Sequence, residues 1–304
     1  MRLRRAFGFG DTGEFDPFLL LDDFRNDRPE DYRAGFPWHP HRGIETITYV
    51  LAGTVDHGDS LGNRGKLGAG DVQWMTAGSG ILHQEMPQGD TQGRMHGFQL
   101  WANLPSSLKM TAPRYQDIKA AEIAEIVDDD WTRVRVICGE FWGKRGPVEG
   151  VAADPRYLDV FVPPGRRKTL PVETERHAFA YVFEGSGSFR SASEPFGVLT
   201  EKEGNGAEAL ARERTGNRSL VLFDSGDAVT VTAGEEGHPI PACLGQADRG
   251  AGRVVRPHRD EHPGGAPAGR CRAARRKLHQ TVAEWIRPSV VMAGLVPAIH
   301  VFGA

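Results

Sequence analysis

His39-Pro40-His41 and His83-Gln84-Glu85 are the two stretches of this chain whose residue types and spacing could do chemistry. In a β-strand, residues i and i+2 share a face, so each tripeptide can aim two donor atoms into one interior. Three imidazoles and a carboxylate suit a divalent metal such as Fe(II), Mn, Ni, Cu or Zn. On an octahedral ion, four protein ligands leave positions open for water, substrate or dioxygen. A single His-x-His in a β protein is more often a pair of half-buried hydrogen-bonding side chains; the second pair, with Gly35 before the first and the 70–80 glycine turns before the second, moves the reading to metal. Either glutamate can complete the set, because Glu45 lies four residues after His41 and simple alternation turns it inward as well. His57 in a turn-rich polar stretch, His96 after the 88–94 loop, and the isolated His177 read as surface or packing residues.

The elements that must position these side chains are strands. Turn signals at Ala52-Gly53, Gly62-Asn63, Gly70-Asp71 and Gly78-Ser79-Gly80 separate runs rich in Ile, Val, Thr, Tyr and Phe, the cadence of an all-β sandwich or barrel. Helical patterning is scarce, and residues 118–127 are expected to form only a short connector. Tyr49-Val50-Leu51-Ala52-Gly53 recurs as Tyr181-Val182-Phe183-Glu184-Gly185, and Gly70-Asp71 through Gly78 recurs as Gly226-Asp227 through Gly234. Two matches in the same order predict one β-barrel used twice, with a boundary between residues 112 and 135.

Composition narrows the function. With 304 residues, 37 basic against 40 acidic side chains and a net charge of -3, the chain lacks the basic field of a nucleic-acid binder, and direct nucleic-acid contact is not expected. The least polar stretch, 289–304, is shorter than the ~20 residues of a bilayer span and contains Pro297 and His300, so no membrane crossing is expected. The opening residues lack the apolar run of a secretory signal, which makes the cytoplasm the expected compartment. Cys138, Cys243 and Cys271 are odd in number and widely spaced, hence ordinary thiols. Gly78-Ser79-Gly80 is not a nucleophile elbow, and Gly8 to Gly13 and Gly62 to Gly70 join no strand to a helix, which leaves acyl transfer and phosphate cradling without support.

His39-Pro40-His41-Arg42-Gly43-Ile44-Glu45-Thr46, Gly70-Asp71-Val72-Gln73-Trp74-Met75-Thr76-Ala77-Gly78, Gly80-Ile81-Leu82-His83-Gln84-Glu85-Met86 and Gln99-Leu100-Trp101-Ala102-Asn103-Leu104-Pro105 resemble the pirins. The resemblance is nearly continuous from Asp16 to Tyr115 and weaker to about Gly237. It implies an all-β bicupin: two cupin (jelly-roll) barrels in tandem, a metal-binding domain over 1–120, a second without ligands over 130–237, and an irregular tail over 238–304. It also implies that His39, His41, His83 and Glu85 hold the metal, usually iron as Fe(II), with Mn, Ni, Cu, Co or Zn as other divalent options. Glu45 then keeps a lesser role, orienting an imidazole. Several pirins resemble quercetin 2,3-dioxygenase in activity, which implies a flavonol and O2 as substrates, ring opening with release of carbon monoxide, and Glu85 as the catalytic proton acceptor. Phe36, Trp74 and Met75 are candidates for the mouth of the site. Other pirins resemble non-catalytic iron-dependent redox regulators that bind a transcription factor or a metabolic enzyme, so a regulatory protein partner is the alternative.

The C-terminal stretch departs from that pattern. Residues 248–278 carry nine Arg or Lys against three Asp or Glu and no apolar period, the composition of a disordered tail, with a basic arm for nucleic acid or acidic partners as the sharper alternative. Because patterning stops after Gly237, the stretch 238–304 is expected to be a frame-shifted or replaced tail. A chain ending near Gly237 is accordingly expected to bind metal no worse than the whole.

Overall fold

Strand-forming runs of Val, Ile, Thr and aromatic residues build two similar halves, and each half puts a seven-stranded sheet over a four-stranded one. The computed structural model describes residues 1–152, 154–174, 176–190, 196–197, 199–200, 215–223, 226–235 and 240–248. All lie within one unit, Met1–Val254. The first half runs β1 (Arg4–Phe7), β2 (Phe18–Asp23), β3 (Phe36–His41), β4 (Ile44–Ala52), β5 (Thr54–Asp59), β6 (Arg64–Leu67), β7 (Val72–Thr76), β8 (Ile81–Gln88), β9 (His96–Asn103) and β10 (Arg114–Ile118). The second runs β11 (Ala124–Val127), β12 (Arg133–Cys138), β13 (Glu140–Phe141), β14 (Lys144–Arg145), β15 (Arg156–Val162), β16 (Arg167–Pro171), β17 (Arg176–Val182) and β18 (Ser186–Arg190). It continues through β19 (Phe196–Gly197), β20 (Leu199–Thr200), β21 (Thr215–Gly216), β22 (Ser219–Phe223), β23 (Ala228–Ala233) and β24 (Ile240–Asp248).

In the first half the order β10-β7-β4-β9-β2-β1-β20 packs over β3-β8-β5-β6; in the second, β11-β12-β15-β24-β17-β22-β19 packs over β16-β23-β18-β21. The outer faces of the two seven-stranded sheets meet in a shared core, where Ile47, Tyr49, Trp74 and Phe98 of the first half bury against Tyr157, Phe179, Tyr181 and Leu220 of the second. The connector at 118–127 is a single 3₁₀ turn, Ala120–Glu122, followed by β11. No helix among the described residues is long and apolar enough to cross a membrane.

Strand order shows which repeat is real. β7-β4-β9-β2-β1 of the first half corresponds to β22-β17-β24-β15-β12 of the second, and β3-β8-β5 to β16-β23-β18. Tyr49 on β4 and Tyr181 on β17 are therefore equivalent, and both strands end at a glycine with positive φ, Gly53 and Gly185. Their hydroxyls make reciprocal bonds across the interface: Tyr49 donates to Asp159 on β15 at 2.6 Å, and Tyr181 to Asp23 on β2 at 2.9 Å. Bonds of this kind to a charged acceptor are worth about 1.5–3 kcal/mol each. The second match is a coincidence of Gly-Asp turns, because Gly70-Asp71 leads into β7, whereas Gly226-Asp227 leads into β23, the equivalent of β8.

The second half does not end at Gly237. β24 lies between β15 and β17, in the place that β9 occupies in the first half. The expected tail therefore contains a central strand. The reading failed there because Pro239 and Pro241 argue against a strand; Pro241 pairs only with Phe161 of β15, beyond the point where β17 takes over. Residues after Asp248 in that expected tail lie outside the described residues.

One consequence of the packing is measurable. His96 on β9 is held against Phe98 and Phe183, and burial lowers its pKa to about 4 despite Asp23 nearby. The folded chain then binds fewer protons than the unfolded one, whose histidine titrates near 6.5, so stability is full above that value and falls as pH drops toward 4. At pH 5 the expected loss is about 2 kcal/mol. Urea melts at pH 8 and pH 5 should show this loss in the wild type and a correspondingly smaller one in His96→Gln; equal losses would rule His96 out as the source.

Candidate metal centre

β3 and β8 pair antiparallel with His39 opposite His83 and His41 opposite Ile81. Period-2 alternation then turns His39, His41, His83 and Glu85 to the interior of the first half, and the outward positions Trp38 and Leu82 to solvent. The three imidazole rings form a triangle with centroids 4.4, 4.7 and 4.8 Å apart. One nitrogen from each lies within 4.8 Å of the others. His39 Nε2 and His83 Nε2 are 3.0 Å apart, the separation that two bonds of about 2.1 Å make at a right angle on one ion.

Protonation favours the same chemistry. His39 Nδ1 donates to the Pro37 carbonyl at 2.7 Å, which leaves the lone pair on Nε2, the atom facing His83. Burial lowers the pKa of His39 and takes those of His41 and His83 well below the usual imidazole value, so all three are neutral donors at neutral pH. The donor set fits a divalent ion.

Glu85 sits one pleat further along β8, outside the triangle of imidazoles. Its Oε1 accepts from the Thr48 hydroxyl at 2.7 Å, and burial raises the carboxyl above its ordinary range. Thr48 Oγ1 is also 2.9 Å from the Gln99 side-chain amide, so β4 and β9 together hold this carboxylate in place.

Glu45 is not part of the site. The turn at Arg42-Gly43, where Gly43 takes a positive φ, resets the alternation between β3 and β4. Glu45 therefore faces the same side as Ile47 and Tyr49, toward the core between the halves, where Thr76 donates to its Oε1 at 2.8 Å. Trp74 is buried in that same core and does not line the mouth. Phe36, its ring 6.4 Å from that of His39, and Met75, packed with Ile81 on the interior face, do lie on the site's side.

His57 reverses its expected place. On β5 it stands opposite Glu85, is buried, and puts Nε2 3.1 Å from Asp117 Oδ2, with its ring stacked over Tyr115. The facing residue, Gly65, has room for nothing larger, since a Cβ there would meet His57 Nε2 at 2.3 Å. The sequence signal was available: His57 and Asp59 are two apart, in the same alternation as the ligand pairs, but the Gly and Asp around them read as a turn. Trp101 was also missed as a site residue, and its ring packs edge-on against His41 with centroids 4.8 Å apart. His96 is a packing residue, as expected.

In the second half, the strands equivalent to β3 and β8 carry Leu170, Val231 and Ala233 into an apolar core. The position of the ligands is filled there by aliphatic side chains.

Known proteins resemble this chain over most of its length. The family model described as pirin matches residues 1–102. A pirin-like protein of Caulobacter vibrioides is 49% identical over 186 residues, covering 61% of this chain and 67% of the relative. A Pseudomonas aeruginosa protein named as a candidate quercetin 2,3-dioxygenase is 39% identical over 242 residues, covering 78% of this chain and 82% of that one. The crystal structure of quercetin 2,3-dioxygenase from Acinetobacter baumannii superposes with a TM-score of 0.68 at 26% identity, covering 91% of this chain and 90% of that chain.

Proposed function

The chain belongs to the pirin family, and from that footing we propose that it is a metal-dependent dioxygenase of flavonols such as quercetin, with the metal on His39, His41, His83 and Glu85. The observation that carries the reading is the triangle of neutral imidazoles, His41 and His83 buried and His39 half-buried, on the face that also carries Glu85. The names of the Pseudomonas and Acinetobacter proteins support the choice of substrate. Fe(II) is the proposed metal, and other divalent ions suit the same donors.

When bound, the ion supplies Lewis acidity that lowers the pKa of a coordinated hydroxyl and a path for electrons to dioxygen. His39, His41 and His83 would hold it. Glu85 takes the proton of the flavonol 3-hydroxyl on a carboxylate oxygen; the Thr48 hydroxyl steadies that carboxylate at Oε1, and burial makes it a better base than an exposed one. The two packed sheets exclude water while the heterocycle opens and carbon monoxide leaves.

Elemental analysis of the purified chain, followed by quercetin depletion with an oxygen electrode, tests this. Expected are bound metal, O2 uptake matching quercetin loss, and silencing by a chelator. A metal-loaded chain that leaves quercetin unchanged would overturn it.

One observation favours a regulatory reading. Trp38 and Leu82 are 54% and 43% exposed on the outer face of the very strands that carry the ligands, so an apolar surface lies one residue from the metal donors. An iron-dependent redox regulator would show partner affinity that differs between its Fe(II) and Fe(III) forms, without turnover.

A further inference from the structure

β3 carries two of the three imidazoles, yet its own sheet supports it poorly. It ends the order β3-β8-β5-β6, so β8 alone pairs with it there, and its Pro37 and Pro40 have no N–H to give. The ladder with β8 is also irregular between Phe36 and His39. Contacts beyond the ladder must therefore help to fix His39 and His41 relative to His83.

The segment between β9 and β10 supplies them. Residues 104–111, which include a 3₁₀ turn at Ser106–Leu108, lie across two turns: Arg42-Gly43, which follows His41, and Gly78-Ser79-Gly80, which precedes β8. The Gly43 N–H donates to the Gly78 carbonyl at 2.8 Å, and the Ser79 N–H donates to the Thr111 carbonyl at 2.7 Å. The Gly43 carbonyl accepts twice from the segment, from the Leu104 N–H at 3.2 Å and from Lys109 Nζ at 3.0 Å. Arg42 Nη2 donates to Met110 Sδ at 3.0 Å. The segment sits so near the second turn that a Cβ at Gly78 would run into the Thr111 carbonyl.

Lys109 joins this strap to the rest of the site. Its ammonium also donates to Asn103 Oδ1 at 2.6 Å, at the end of β9, where Asn103 stands opposite Ile44 of β4. β9 and β4 are the strands that hold Glu85 through Gln99 and Thr48. Lys109 is half-buried, and burial lowers its pKa, so the ammonium has given up water for these oxygens. Bonds from a cation to such acceptors are short and strong.

We infer that Lys109 is a positioning residue for the metal centre: it clamps the 104–111 strap onto the turn after His41 and so sets His39 and His41 against His83. The inference rests on the metal centre proposed above and not on its substrate.

Co(II) titration of the full chain tests it, because the d–d absorption of bound Co(II) reports ligand geometry as well as affinity. Lys109→Met keeps the apolar stem and removes the ammonium. At a temperature where circular dichroism shows the variant folded, it should bind Co(II) about tenfold or more weakly, the usual cost of losing a group that supports a ligand, with altered absorption. Lys109→Arg, which keeps a cation and its donors, should recover most of that loss. A folded Lys109→Met chain with wild-type affinity and spectrum would overturn the inference and leave the metal centre standing. The wild type gives a second reading that needs no variant. If the strap tightens the ion, the ion must tighten the strap by the same factor, so Co(II) should slow hydrogen exchange at the Leu104, Leu108 and Thr111 amides by about tenfold, the lower end of that supporting-group range. Unchanged exchange at all three would equally overturn it. A wild-type chain that binds no Co(II) would remove the centre, and this inference with it.

Discussion

His83→Ala is expected to abolish stoichiometric metal and quercetin-dependent oxygen uptake together. His83 is 1% exposed and stands directly opposite His39, so its loss leaves only two imidazoles of one strand, His39 and His41. Removing a group that merely supports a ligand costs roughly 10–100-fold in metal affinity; removal of a ligand should cost at least the upper end of that range, read as elemental content after dialysis. β8 is paired on both sides, by β3 and β5, so the strand itself should survive the change, as circular dichroism would show. Glu85→Gln separates the two roles of the carboxylate. Because Gln keeps an oxygen donor at that position and the carboxylate lies outside the imidazole triangle, held by Thr48, the variant should lose less metal than His83→Ala and lose turnover by about 10²-fold or more, the usual worth of a positioned general base. Metal loss in Glu85→Gln equal to that in His83→Ala would make Glu85 a ligand first. Wild-type metal content in His83→Ala would exclude the proposed centre.

Truncation has the second large effect, and in the direction opposite to the one the sequence suggests. A chain ending at Gly237 loses β24, which is paired along its length with β15 from Val162 to Arg156 and with β17 from Val182 to Arg176. The second sheet is thereby cut through its middle. The damage cannot stay in the second half, because Tyr157, Phe179, Tyr181 and Leu220 share one core with Ile47, Tyr49, Trp74 and Phe98. Loss of so many main-chain bonds is comparable to the whole stability of an ordinary domain, about 5–15 kcal/mol. The expected result is no cooperative melt and depleted metal for the chain ending at Gly237. The chain ending at Val254 should match the full chain in melting and in metal. A chain ending at Gly237 that melts cooperatively at the full-length temperature would show β24 to be dispensable.

The two results draw on different kinds of information. His-x-His and His-x-Glu are local: the alternation of a pleated strand is a property of the backbone, so spacing alone decides that His39 and His41 share a face, and that His83 and Glu85 do. The all-β class was likewise legible in β-branched runs cut by glycine turns, and the likeness to pirins over 16–115 rests on residues that can be read in line. Local order ends at each turn. Nothing in Arg42-Gly43 says whether the alternation carries across it, and the reset there moved Glu45 from the site to the core between the halves. A Gly-Asp pair has the same φ requirements wherever it occurs, so the resemblance between 70–78 and 226–234 says nothing about which strand pairs with which.

Partners far apart in the chain decided the rest. His57 belongs to the site because β5 lies against β8 and because Asp117, on the distant strand β10, comes to its ring. β24 is a strand because two waiting edges, β15 and β17, satisfy its backbone, with Pro241 placed where only one edge is left. Sequence alone thus determined which atoms could bind an ion, through a period that each residue imposes on the next. The tertiary structure decided which faces meet, because register between distant strands is set by the burial of whole faces and not by any residue's own preference.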